Sequence, residues 1–238
     1  MAAARQVALI VGAGSGLSAS LARLAAKRGM AVALAARNTE KLAGLLKETR
    51  GLAFACDVTD EDQVHNVFDA VGRDLGTPDL VVFNPSARTR GPIAELDPPA
   101  VLNTLTVSAY GGFLVAQAAV KAMLARAGGP AGSLFFTGAS ASVKGYAQSA
   151  PFAMGKFALR GLAQSLAREL QPKNLHIAHF VIDGSIANPD RQGYQPLTDK
   201  PDALLDPDAI AQSYFAVHDQ PRSAWTWEME LRPWVERF

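Results

Sequence analysis

The chain has 238 residues, 49% of them hydrophobic, and a formal net charge of +1. This length and apolar content suffice for one sizeable core, and the balanced charge gives no electrostatic reason to expect nucleic acid or a membrane surface as a partner. The single cysteine, Cys56, excludes an intramolecular disulfide framework and a multi-cysteine metal site. Because the sequence also shows no signal-peptide layout and no apolar run approaching 18 residues, we expect a cytoplasmic protein without a membrane span.

Strand-like and helix-like patterns alternate along the chain. Strands are predicted at 7–11, 31–36, 51–56, 80–83, 132–137, 176–182 and 225–231, and helices at 16–28, 40–49, 60–72, 98–127, 151–170 and 207–218. Thr59 is predicted to cap the third helix. The pair Gly111-Gly112 in the longest helix indicates close packing, since glycine costs about 1 kcal/mol in a helix interior.

Strands separated by helices predict right-handed βαβ units. We therefore expect an α/β fold of the Rossmann type, with a doubly wound, mostly parallel seven-stranded sheet and helices on both faces. No repeat or linker divides the sequence, so residues 1–238 are predicted to form a single dinucleotide-binding domain. The proline-rich, weakly periodic stretch at about 186–206 is predicted to be an irregular lid.

A glycine turn joins the first strand to the first helix. The strand runs directly into the sequence Gly12-Ala13-Gly14-Ser15-Gly16, and a helical pattern begins near Leu17. Glycines let the backbone approach a phosphate closely, and a helix N-terminus offers free N–H groups and a partial positive charge. This stretch therefore predicts a site for a nucleotide pyrophosphate, with Gly12, Ser15, Gly16 and Leu17 as its contacts.

Four further landmarks follow in order, each after one of the later strands. They are Asp57-Val58, Asn84, Lys156 and Gly184. With the spacing Gly12-x-x-x-Gly16, this order resembles the short-chain dehydrogenase/reductase family over essentially the whole chain. The resemblance implies a nicotinamide cofactor, and it assigns cofactor contacts to Asp57 and Val58 at the adenine, to Asn84, to Gly184 and Ile186 at the nicotinamide, and to Lys156 at the ribose.

The end of the second strand selects between the two nicotinamide cofactors. An acidic residue in this region would hold a ribose 2′-hydroxyl, but the sequence has Ala36-Arg37-Asn38. A carboxylate would repel a 2′-phosphate, whereas a guanidinium pairs with it through two charge-assisted hydrogen bonds. Arg37 therefore predicts NADP as the cofactor.

The catalytic positions depart from the pattern of the family. Family members exchange a hydride between the nicotinamide and a carbonyl or alcohol, with a tyrosine four residues before the lysine, a serine thirteen residues before that tyrosine, and an asparagine. Counting back from Lys156 places Phe152 and Ala139 at the first two positions, and Ser108 falls at the asparagine. Ser140, one residue from the serine position, is a candidate hydroxyl beside Lys156, and Tyr146, Ser149 and Tyr194 are alternatives.

Three functions stay open on this evidence. The first is an NADP-dependent oxidoreductase of a small carbonyl or alcohol compound, with a serine, a water or a substrate group in place of the tyrosine. The second is a catalytically inactive NADP-binding sensor or structural protein. The third is a reductase whose substrate needs no protein acid. The expected partners are a small-molecule substrate and, by the resemblance, further copies of the chain in a homodimer or homotetramer; no metal-ligand spacing is present.

Overall fold

The structure is a computed structural model that describes residues 5–129, 131–189, 194, 200 and 202–236. The strands are β1 (Val7–Val11), β2 (Ala31–Ala36), β3 (Leu52–Ala55), β4 (Leu80–Phe83), β5 (Gly132–Thr137), β6 (Leu175–Ile182) and β7 (Glu228–Leu231). The α-helices are α1 (Leu17–Lys27), α2 (Ala43–Thr49), α3 (Glu61–Asp74), α4 (Pro98–Leu105), α5 (Gly111–Leu124), α6 (Ala150–Leu170) and α7 (Pro207–His218).

The seven strands form one parallel sheet in the order β3-β2-β1-β4-β5-β6-β7. Helices α1, α2 and α7 pack on one face of the sheet, and α3, α5 and α6 pack on the other. The predicted doubly wound fold is thereby confirmed. Strand order reverses between β1 and β4, and in such sheets the crevice at the carboxyl ends of these two strands is the place where a ligand binds.

Two local predictions differ from the structure for identifiable reasons. Asp60, not Thr59, caps α3, because its carboxylate accepts the Gln63 N–H at 3.0 Å. The Thr59 hydroxyl is instead donated to Asp57 Oδ1 at 2.8 Å. The longest helix is interrupted by a π-helical turn, Thr106–Tyr110, which separates α4 from α5.

Close packing at the Gly111-Gly112 pair is confirmed. A Cβ atom on Gly111 would lie 2.8 Å from Val58 Cγ2, and one on Gly112 would lie 2.6 Å from Leu159 Cδ1. The first contact brings the start of α5 against the loop after β3, and the second brings α5 against α6. Both glycines thus fix helices that line the carboxyl end of the sheet.

One stretch among the described residues, Pro98–Leu124, is long and apolar enough to cross a membrane by length and composition. Half of its most apolar window is buried within the protein. Leu114, Val115 and Ala119 belong to the core on that face of the sheet. The apolar character of this stretch is therefore explained by the packing of α4 and α5 in the protein.

Backbone pairing joins the two ends of the stretch that is predicted to be a lid. Ile186 forms a parallel bridge with Leu205, and the Ala187 N–H donates to Leu205 O at 2.9 Å. Of this stretch, residues 190–193, 195–199 and 201 lie outside the described residues.

We expect Gly12→Ala to destabilise the fold and Gly14→Ala to leave it unchanged. Gly12 has a φ of +78°, and its added Cβ would lie 2.7 Å from the backbone nitrogen of Pro85. At Gly14 an added Cβ meets nothing within 4 Å. Gly12→Ala should lower the free energy of unfolding by at least about 1 kcal/mol, measured by urea denaturation. Equal midpoints for the two variants would contradict this account.

Candidate cofactor and active site

The glycine turn is anchored to the end of β2. The N–H groups of Gly12 and Ala13 both donate to Ala35 O, at 2.9 and 3.0 Å. Helix α1 then starts after Gly16, which has no side chain to cap the first turn. The N–H groups of that turn therefore meet no side-chain oxygen from the capping position, which is the arrangement that suits a phosphate.

Asn84 and Ser18 connect the end of β4 to this turn. Asn84 Nδ2 donates to Ser18 Oγ at 2.7 Å, and the Ser18 hydroxyl donates to Gly12 O at 3.0 Å. Ser18 thus links the end of β4 to the glycine turn through its hydroxyl. Asn84 is placed at the predicted site, and its amide holds the glycine turn in position.

A cavity of about 340 Å³ opens beside the turn, between the ends of β1, β2, β3 and β4. Asp57 lines this cavity and is fixed by Thr59, whose N–H and hydroxyl both donate to Asp57 Oδ1. The structure thus brings together most of the predicted adenosine contacts. The lining residues are Gly12, Ala13, Ala36, Arg37, Cys56, Asp57, Val58, Asn84, Pro85, Ser86 and Val107.

Arg37 lies between this cavity and a neighbouring groove of about 490 Å³ that also contains Ser15 and Lys41. Both Arg37 and Lys41 are exposed, and within the described part of the chain neither forms an ion pair. Two exposed cations beside this cavity are donors of the kind that pair with a phosphate group. The sequence analysis missed Lys41, although its position four residues after Arg37 was a usable signal.

Lys156 is buried in α6 at the carboxyl end of β5. Its side chain is 2% exposed, and Nζ donates to Thr137 O at 2.8 Å. Burial, with a smaller contribution from the charge of Arg88, lowers the pKa of Lys156 to about 8. This ammonium is therefore ready to release a proton only slightly above neutral pH.

The three positions counted as substituted lie on α6, in the π-helical turn and before a short 3₁₀ turn. Phe152 is buried one helical turn before the lysine, and Nζ lies 6.0 Å from the centre of its ring. Ser108 is fully buried in the π-helical turn and lies against Gly155. Ala139 precedes a short 3₁₀ turn, Ser140–Ser142, and its N–H donates to Ser142 Oγ at 3.1 Å.

Arg88 is a residue of this site that the sequence analysis did not single out. It lies in the loop after β4, and its guanidinium carbon is 4.2 Å from the centre of the Phe152 ring. Burial and the neighbouring charge of Arg90 lower the pKa of Arg88. An arginine at this site is fully charged at neutral pH.

The loops after β5 and β6 are joined by an ion pair. Lys144 Nζ donates to the buried carboxylate of Asp183 at 2.7 Å, which raises the pKa of Lys144. Gly184 follows Asp183 and packs against Pro233. A Cβ atom added to Gly184 would lie 2.8 Å from Pro233 Cδ. The predicted nicotinamide contacts Gly184 and Ile186 thus lie on a braced segment.

Two further residues near the site, Asn188 and His179, form side-chain hydrogen bonds. Asn188 lies over the glycine turn, with Ser15 Oγ donating to its Oδ1 at 3.3 Å. His179 is fully buried behind Gly138 and contacts Glu228 through Nδ1 at 3.0 Å. Burial lowers the pKa of His179 to about 4, so its imidazole is neutral at physiological pH and gives no proton there.

Comparisons with known proteins agree with this geometry. The family model of short chain dehydrogenases matches residues 6–189. A granaticin polyketide synthase putative ketoacyl reductase from Streptomyces violaceoruber is 31% identical over 194 residues, which cover 79% of this chain and 70% of that protein.

Two solved structures share the fold. A short-chain dehydrogenase from Rhodopseudomonas palustris superposes with a TM-score of 0.81 at 35% identity, over 96% of this chain and 99% of that one. An alcohol dehydrogenase from the archaeon Thermococcus sibiricus, complexed with 5-hydroxy-NADP, has a TM-score of 0.83 at 24% identity, with 98% of each chain covered. The sequence and the fold together establish that the chain belongs to the short-chain dehydrogenase/reductase family.

Proposed function

We propose that this protein is an NADP-dependent oxidoreductase of a small carbonyl or alcohol compound in which the proton donor is not a tyrosine. The observation that carries the proposal is the buried ammonium of Lys156, whose pKa lies at about 8, at the carboxyl end of the sheet. General acids work best when their pKa lies near the working pH.

The residues present fit NADP. Gly12, Ser15, Gly16 and Leu17 would hold its pyrophosphate, and Arg37, assisted by Lys41, would hold the 2′-phosphate. Its adenine would lie beside Asp57 and Val58, next to Asn84, and its nicotinamide would lie against Gly184 and Ile186. When bound, this cofactor supplies or accepts the hydride. The Thermococcus sibiricus enzyme, with an NADP derivative, supports this cofactor class for the fold.

Lys156 takes the role of acid in this proposal. During reduction of a carbonyl, the Lys156 ammonium gives a proton, directly or through one water, to the oxygen that becomes the hydroxyl. The neutral amine left behind is then protonated again from solvent. Ser140, at the start of the 3₁₀ turn and partly exposed, would donate a hydrogen bond to the same oxygen. The Phe152 ring contributes no proton.

A catalytically inactive NADP-binding protein is the second candidate function. It is favoured by a specific observation, namely that Ser108, Ala139 and Phe152 replace three of the four catalytic side chains of the family. In that case Lys156 would serve only to bind the ribose. Measurements of cofactor binding and turnover on the same protein separate the two functions.

Exposed apolar side chains support assembly into a homodimer or homotetramer. Tyr110 and Phe113 stack on each other near the start of α5, with ring centres 6.1 Å apart. Met154 and Phe157 on α6 are also exposed. Apolar surface of this kind marks interfaces between proteins, and we propose that copies of the chain associate through α5 and α6. The cytoplasmic location stays a prediction.

Arg37→Ala should change cofactor choice. We expect it to weaken NADPH binding by at least about tenfold, because a charge-assisted pair with the 2′-phosphate is lost, while NADH binding changes little. Lys47→Ala, which removes an exposed positive charge from α2, is the matched control and should leave both affinities unchanged. The measurement is isothermal titration calorimetry. An equal loss for NADPH and NADH would contradict the assignment of Arg37.

Lys156→Met should change how stability depends on pH. The folded-state pKa of about 8 lies below the ordinary lysine value of 10.5, so the unfolded chain binds more protons between these two values. The contribution of Lys156 therefore becomes more favourable as pH rises from about 8 to 10.5, by up to about 3 kcal/mol. Lys156→Met should lack this rise in denaturation experiments. Parallel stability curves for the two proteins would show that Lys156 titrates normally.

Restoring the usual side chains should raise carbonyl reduction. We expect the double variant Phe152→Tyr, Ala139→Ser to oxidise NADPH at least about tenfold faster than the wild type with aldehydes, ketones, quinones or enones, followed at 340 nm. If the wild type binds NADPH but turns over none of these compounds, while the double variant does, the second candidate function is the correct one.

A further inference from the structure

We propose that Arg88 binds a carboxylate group of the substrate, so that the protein acts on small carbonyl or alcohol compounds that carry a negative charge. The inference rests on the proposed function, because it names the substrate class of the same site. It follows from three features of the structure: two uncompensated cations at one ring, a loop that holds Arg88 in place, and the separate location of the cofactor phosphates.

Two positive charges meet at the Phe152 ring. The guanidinium carbon of Arg88 lies 4.2 Å from the ring centre, and Lys156 Nζ lies 6.0 Å from it. Within the described residues neither cation forms an ion pair with a carboxylate. The ring attracts a cation by its quadrupole, but it does not neutralise the charge. The site therefore has an excess of positive charge that a bound anion would balance.

The loop that carries Arg88 is fixed at two residues that directly follow it. The Thr89 hydroxyl contacts Thr104 Oγ1 at 2.8 Å, which ties the loop to α4. The Gly91 N–H donates to Gln148 O at 3.1 Å, which ties it to the segment before α6. Arg88 itself, just before these two anchored residues, is exposed. A ligand thus meets a guanidinium whose backbone position is already set, which lowers the entropic cost of binding.

The cofactor does not supply the missing negative charge at this place. Its phosphates would be held at the glycine turn and at Arg37, at the ends of β1 and β2. Arg88 instead lies in the loop after β4, and Phe152 lies on α6, one helical turn before the proposed proton donor Lys156. Of the two expected ligands, the one that would bring a negative charge beside Arg88 is therefore the substrate.

The chemistry of the side chain favours a carboxylate. A guanidinium is planar and presents a fork of N–H donors that matches two carboxylate oxygens. The guanidinium carbon lies 4.2 Å from the centre of the Phe152 ring, and a ligand carboxylate would engage the N–H donors of this group.

The test measures binding of short oxo acids and of their methyl esters to the protein loaded with NADP+, by isothermal titration calorimetry. A series of three to six carbons covers the unknown distance between the carbonyl and the carboxylate. We expect at least one acid to bind about tenfold or more tightly than its ester. Arg88→Gln should abolish this preference, and Arg88→Lys should restore part of it. Arg90→Gln, which removes a positive charge from the same loop, is the matched control and should keep the preference.

The proposal is overturned if no acid binds better than its ester, or if Arg88→Gln keeps the preference of the wild type. It is also overturned if Arg90→Gln abolishes the preference as fully as Arg88→Gln, since a general field would then explain it. Turnover distinguishes this inference from the proposed function. Acid binding that depends on Arg88 without NADPH oxidation sustains the carboxylate site and refutes the oxidoreductase. Reduction of neutral carbonyls, with no acid bound more tightly than its ester, sustains the oxidoreductase and overturns the carboxylate site.

Discussion

The hydrogen bonds from Asn84 through Ser18 to Gly12 hold the site together where the strand order reverses. They connect the end of β4 to the turn after β1, across the crevice that such sheets offer to ligands. Pro85 packs against Gly12 in the space that any Cβ would fill. The turn is therefore shaped by its neighbour on β4 as much as by its own glycines, and the adenosine cavity depends on both.

The second constraint is electrostatic. An ammonium buried at 2% exposure loses most of its hydration, and one carbonyl bond from Thr137 offsets only part of that cost. Arg88 adds like charge nearby instead of relieving it. Perturbed pKa values in clefts are typical of functional sites, which agrees with the role proposed for Lys156. Phe152, at the position where the sequence count predicts a tyrosine, offers no hydroxyl that could share this charge.

Local pattern sufficed for the strands, the helices and the glycine turn, because apolar periodicity and glycine chemistry act over a few residues. The local sequence pattern did not predict features that depend on contacts between two segments. Thr59 fits the local pattern of a helix cap, but its hydroxyl donates to Asp57 Oδ1 and is therefore not available to cap α3. The π-helical turn at Thr106–Tyr110 has no amino-acid pattern that distinguishes it from an α-helix. Arg88 lies above Phe152 only because Thr89 and Gly91 are tied to distant segments, and no spacing in the sequence records those contacts.

The ion pair between Lys144 and Asp183 has a thermodynamic consequence. It couples the loop that carries Ser140 to the segment that carries Gly184 and Ile186. Under the proposed function, the first loop faces the substrate and the second faces the nicotinamide, so displacement of either is passed to the other through a 2.7 Å contact. Cooperativity between the two ligands is then reciprocal: whatever factor the cofactor adds to substrate affinity, the substrate adds to cofactor affinity.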